Sequence, residues 1–149
     1  MSETKYGKNI ISGIPDKIKE QKAMSQKTQG EESSRMALYT DGEYNPGVNF
    51  VTAGWVLKES VNNTIHDHSY DEYLGLFGSD TDHPEDLCGE IEFTLGGEKH
   101  TITKSCVIFI PAGVSHGPIN NKKVDKPIFY IATTPTTSYS KENVELSQD

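Results

Sequence analysis

The sequence predicts an all-β fold: an antiparallel, jelly-roll-like β-barrel behind a polar N-terminal arm. Three observations point there. From residue 36 onward apolar residues recur in short segments, one with the clear period-2 alternation of a half-buried strand. Turn signals divide the segments, among them Asp41-Gly42, Asn45-Pro46-Gly47 and Gly96-Gly97. The strand–helix alternation of a parallel α/β sheet is missing, and no internal repeat is visible.

Residues 1–35 form the arm. Within it, residues 16–27 fit a short helix, with Pro15 near its start and Gly30 beyond its end. Ile10, Ile11, Ile14 and Ile18 are enough apolar surface to pin the arm onto the barrel or onto a neighbouring subunit. Residues 25–34 lack large apolar side chains and read as a flexible stretch.

The barrel is expected over residues 36–135. MALYT (36–40) reads as its first strand and VNFVTAGWVL (48–57) as a long second one, where Gly54 marks a bulge or a close backbone approach. Residues 61–63 lead into a histidine-bearing strand. SDTDHPEDLC (79–88) is acidic and rich in turn residues, which is unsuited to a strand interior. Ile91, Phe93 and Leu95 then alternate with Glu92 and Thr94. After the Gly96-Gly97 turn a return strand covers 98–103, Cys106–Ile110 is a denser strand stopped by Pro111, 122–126 reads as a charged turn, and PIFYIAT (127–133) is another strand. Residues 136–149 form a polar tail that packs in part or frays. Seven or eight strands result.

At 149 residues the chain is the size of one domain with a substantial core. Lys and Arg number 14 against 22 Asp and Glu, a net charge of -8 that repels nucleic acid and anionic membrane surfaces alike. The two cysteines, Cys88 and Cys106, form neither a CxxC pair nor a disulfide framework. Cys106 reads as a small buried residue, and Cys88 as an exposed thiol or a core-edge residue. MSETKYGKNI lacks the apolar run of a secretory signal, and no segment approaches the roughly 20 apolar residues of a membrane span. A cytoplasmic protein is the expectation.

The chemistry is concentrated in TIHDHSYDEYLGLFG (64–78) and IPAGVSHGPIN (110–120). Side chains two apart on a strand face one side, so His66 and His68 point together while Asp67 and Ser69 point away. Glu72 shares their parity, although four residues on it can already lie across a turn in the next strand. His116 follows the Pro111-Ala112-Gly113 turn, from which a cross-strand neighbour can bring it to the same point. Three imidazoles and one carboxylate suit a borderline divalent transition metal and leave positions open for water, oxygen or substrate. Iron, manganese, nickel, cobalt and zinc all fit such a set, one ion per chain. Taken singly each residue has a plainer reading as an exposed histidine or a solvated acid; together each occupies a place the others predict.

Here the sequence resembles the cupins. His66-x-His68-x3-Glu72-x5-Gly78 is similar to the first motif of that family, and Pro111-x-Gly113-x2-His116-x3-Asn120 to the second. The resemblance covers about residues 50–131 and implies a small metal-binding β-barrel with His66, His68, Glu72 and His116 as ligands. Gly78, Pro111, Gly113 and Asn120 would then form the turn scaffold. The chain departs from the pattern at Ser60 and Ser105, where each motif usually opens with glycine, and the closing Gly78 falls one residue early. Those positions bear on loop shape rather than on ligation.

Further groups are candidates by parity or position. Tyr70 is a candidate catalytic phenol, with Tyr73 behind it, and His83 in the acidic loop is a candidate lid, base or extra ligand. His100 reads as structural. Arg35 is the only arginine, and it, Lys58 or Lys104 would partner an acidic substrate; so few arginines argue against a substrate with several phosphates. The expected function is that of a metalloenzyme acting on a small organic molecule by oxygen-dependent cleavage, decarboxylation or isomerisation. A sensor or binding module without turnover is the alternative. A homodimer is expected, because small barrels expose sheet edges that pairing protects.

Overall fold

The computed structural model describes residues 4–29, with side chains as far as residue 24, and residues 32–147. Part of the stretch expected to be flexible, residues 30 and 31, lies outside the described residues. Helix α1 (Asp16–Gln29) follows Pro15 as expected and is succeeded by eleven strands among the described residues. They are β1 (Ser34–Thr40), β2 (Val51–Val56), β3 (Ser60–Asn62), β4 (Thr64–Asp67), β5 (Glu72–Gly78) and β6 (Asp86–Leu95). Then come β7 (Glu98–Lys104), β8 (Cys106–Ile110), β9 (His116–Val124), β10 (Ile128–Thr133) and β11 (Glu142–Leu146).

The strands form two antiparallel sheets. One has the order β1-β2-β10-β5-β8; the other runs β11-β4-β9-β6-β7, with β3 also paired to β9. This is the jelly-roll-like antiparallel architecture expected, with its strands in two sheets that no strand pairing closes into a barrel among the described residues. What joins them is apolar packing: Val56, Leu76 and Ile128 of the first sheet meet Leu87 and Ile91 of the second. Ile91 and Phe93 are buried as their alternation requires, and the Gly96-Gly97 turn connects β6 to β7.

Three segments are corrected. β6 starts at Asp86, inside the loop that seemed unfit for a strand, because a break in register and a left-handed Cys88 (φ 61) absorb the irregular residues. Lys122 and Lys123 belong to β9 and not to a turn; Lys122 is held by Glu92 of the adjacent strand at 2.9 Å. The polar tail contains β11, which pairs with β4 and is secured by Asn143 Nδ2 donating to the Asp67 carboxylate.

The arm is pinned by fewer isoleucines than expected. Ile18 is buried, whereas Ile10 is exposed, and the Tyr39 N–H donates to the Gly13 carbonyl at 3.1 Å. No helix among the described residues is long and apolar enough to cross a membrane.

Candidate metal centre

β4 and β9 lie side by side with His66 directly opposite His116. Their close approach depends on Gly117: at φ 97, a Cβ there would run into the Thr64 carbonyl. His68 occupies the turn after β4, and Glu72 opens β5 in the other sheet, so the candidate ligands are drawn from both sheets. The turn carrying the second motif is fastened to the turn carrying the first. The Gly113 N–H donates to the His68 carbonyl at 2.7 Å, and the Ala112 N–H donates to Asp71 Oδ1 at 2.9 Å.

The three imidazoles converge, each offering a nitrogen within 4.8 Å of the others. Glu72 Oε2 lies 3.0 Å from His68 Nε2 and 3.5 Å from His116 Nε2. His68, Glu72 and His116 are buried. Yet His66 Nδ1, His68 Nε2, Glu72 Oε2 and His116 Nε2 have no hydrogen-bond partner: the short Glu72 approaches lack hydrogen-bond alignment. Three of these atoms, His68 Nε2, Glu72 Oε2 and His116 Nε2, meet at one point, an arrangement costly in a metal-free protein and one that a metal ion would satisfy. The donor set fits a divalent transition ion.

The tautomers fit as well. His68 Nδ1–H donates to the Ser140 carbonyl, and His116 Nδ1–H donates to the Val114 carbonyl at 3.1 Å. With Nδ1 of each ring committed to a carbonyl, Nε2 is the nitrogen left facing the centre. Burial, reinforced by His116, Lys141 and His68, lowers the pKa of His66 to about 4, so its ring is neutral at pH 7.

Of the two catalytic candidates, neither is placed among the four ligands. Tyr70 stacks on the His68 ring at 5.1 Å, and its phenol is engaged with the tail: it donates to the Ser140 carbonyl at 3.0 Å and accepts from the Ser140 N–H at 2.8 Å. His83 is exposed and contacts Asp80 at 3.4 Å. Its loop springs from Gly78, at the far end of β5 from Glu72, about 20 Å away by strand rise. His100 is exposed beside Glu98, and Arg35 is paired with Glu32.

Sequence reasoning missed Tyr139. Its hydroxyl lies 3.5 Å from His66 Nε2, and its ring stacks on buried Phe50 at 4.4 Å. Burial, with the negative charge of Glu72 adding to it, pushes the phenol pKa up and keeps its proton in place. Glu72 and Tyr139 open into a cavity of about 430 Å³ whose wall includes Ile18 of α1, Tyr39, Phe50 and Tyr130. A second cavity, of about 670 Å³, has none of the four ligand residues in its wall.

The departures from the motif pattern have structural work of their own. Ser60 Oγ accepts from Asn121 Nδ2 at 3.0 Å, joining β3 to β9. Ser105 Oγ accepts from the Gly78 N–H at 3.0 Å and donates to the Pro84 carbonyl at 2.8 Å, which ties down the loop between β5 and β6.

Solved structures share this architecture. An oxalate oxidase superposes with TM-score 0.54 at 12% identity, over 77% of this chain and 57% of that one. A mutant of Bacillus subtilis oxalate decarboxylase gives 0.52 at 13%, over 74% of this chain and 28% of that one. A cupin-2 domain from Rhodospirillum rubrum gives 0.50 at 10%, over 79% and 68%. The chain has the cupin fold. It spans little more than half of the oxidase and about a quarter of the decarboxylase. No protein-family profile and no curated protein sequence matches the chain. At these identities the likeness is one of fold, and the metal-binding reading of this chain rests on its own His66, His68 and His116, with Glu72 beside them.

Proposed function

We propose that this cupin is a mononuclear metalloenzyme acting on a small organic substrate. The observation that carries the reading is the group of buried, unpartnered ligand atoms beside a cavity large enough for a small molecule. His66, His68, Glu72 and His116 would hold one divalent ion. Bound there, it would supply Lewis acidity and, if redox-active, the means to react with oxygen.

The chain's own groups supply orientation and proton control. Tyr139 keeps its phenolic proton and is placed to donate it to a substrate oxygen near His66. Phe50 holds that ring in place, and Tyr70 holds the adjoining Ser140. The reaction would be oxygen-dependent cleavage, decarboxylation or isomerisation; the oxidase and decarboxylase among the structural neighbours make the first two the ones to assay first.

The test is turnover of hydroxy acids, diketones and sugars by protein loaded with each metal in turn. Product formation that disappears with chelation supports an enzyme. Tight binding without product from any substrate would instead make the protein a binding module.

We further propose that a second copy of the chain covers the outer face of the five-stranded sheet. Trp55, Tyr73, Phe77, Val107 and Phe109 are exposed there, and Phe129 bridges Trp55 (5.2 Å) and Phe77 (6.5 Å). None of these side chains is charged, so two copies can meet here despite a net charge of -8 each. Sedimentation velocity should give a dimer that Trp55→Glu dissociates; a wild-type monomer would contradict the proposal.

A further inference from the structure

The cavity beside the ligand cluster is bounded by two elements outside the sheets: α1 and the segment between β10 and β11. Each contributes a lysine to its wall, Lys22 from α1 and Lys141 from the tail. Both residues keep solvent exposure, which places them at the rim of the cavity. Neither has an ion-pair partner among the described residues, although the chain has an excess of carboxylates and most other lysines of the sheets find one. Two ammonium groups thus share one opening without a carboxylate to balance them.

Their electrostatics agree with that placement. The pKa of Lys22 is lowered first by desolvation and then by Lys141, so the charged end of Lys22 loses water even though its stem is exposed, and the two cations sense each other. Among the described residues of the lining the one carboxylate is Glu72, which faces the histidines, 3.0 Å from His68 Nε2. The remaining wall is mostly aromatic and aliphatic, with Ile18, Met36, Phe50 and Ala132 beside three tyrosines; Gln21 and Thr52 are its other polar residues. In a chain this acidic, a rim of two unpaired cations over an apolar pocket is selective for an anion with a hydrocarbon body.

We propose that Lys22 and Lys141 bind the carboxylate of the substrate, so that the metal centre acts on a small organic acid whose apolar part lies against Phe50 and Ile18. The proposal rests on the metalloenzyme reading and names its substrate class. It makes α1 and the tail the specificity-determining elements of the protein. Two flexible ammonium groups can meet the two oxygens of one carboxylate.

The experiment is calorimetric titration of metal-free protein with benzoate and 3-phenylpropanoate, beside their neutral amides and phenyl phosphate. Carboxylates should bind about 10-fold more tightly than the matched amides, and added salt should erase the difference. Lys22→Gln and Lys141→Gln should each weaken carboxylate binding several-fold while leaving amide binding unchanged, and the double variant should abolish the preference. Equal binding of acid and amide, no binding of any acid, tighter binding of phenyl phosphate, or a preference that survives the double variant would each overturn the proposal. Metal content of the same variants is measured in parallel. Unchanged metal with a lost preference fits the proposal, whereas absence of metal from the wild-type protein after reconstitution refutes the underlying reading independently.

Discussion

His68 donates its Nδ1–H to the carbonyl of Ser140, a residue 72 positions further along the chain. The same carbonyl accepts from Tyr70, and the Ser140 N–H returns a bond to the Tyr70 hydroxyl. One residue of the tail therefore orients a ligand histidine, anchors a tyrosine and presents its neighbour Tyr139 to the cavity. Removing the Tyr70 hydroxyl should loosen all three. Tyr70→Phe is expected to weaken metal affinity by about 10-fold, measured by competition with a chromophoric chelator, with the folded state intact.

Tyr139→Phe separates packing from proton donation. The ring keeps its stack on Phe50, and only the hydroxyl beside His66 is lost. Metal content should be unchanged and kcat should fall by about 100-fold on any substrate that is turned over. A variant with wild-type kcat would reduce Tyr139 to a packing residue.

Gly117 sets the distance between the two histidine strands. Gly117→Ala introduces a Cβ against the Thr64 carbonyl at a left-handed φ of 97. The expected cost is about 1–3 kcal/mol of stability in chemical denaturation, together with weaker metal binding, because β9 must move away from β4. Gly47, also left-handed but with open space around it, is the control: Ala there meets conformational strain alone.

Acid should act on the metal-free protein through His66. Its pKa of about 4 in the folded protein lies below the ordinary 6.5, so between those values the unfolded chain binds a proton that the folded chain does not. Stability should therefore fall as pH is lowered from about 6.5 to 4, and the loss should be smaller in His66→Asn. With metal bound the same protons compete for the ligand nitrogens, and metal should be released over the acidic range.

The residues that cluster at the candidate site were legible in the sequence because they obey two local rules. Parity pointed to His66 and His68 together, although β4 ends at Asp67 and His68 follows it, and the Pro111–Gly113 turn leads directly into the strand that pairs His116 with His66. Glu72 followed from its spacing across a short turn. β9 was harder to read beyond its first residue, since HGPINNKKV has little alternation; its strand is imposed by pairing with β3, β4 and β6. β11 and Tyr139 were invisible for a related reason. Every residue of β11 is exposed, so no apolar pattern marks it, and Tyr139 earns its position from Phe50 and Tyr70, which are distant in sequence. A lone aromatic in a polar tail was the one available signal.

The central claim is that His66, His68, Glu72 and His116 hold a metal. The most direct measurement is elemental analysis of protein made without a metal-affinity tag, as isolated and after reconstitution, beside His116→Ala. One equivalent of a divalent transition metal per chain, lost in the variant, is the predicted result. No stoichiometric metal in either wild-type preparation, or unchanged metal in His116→Ala, would contradict it.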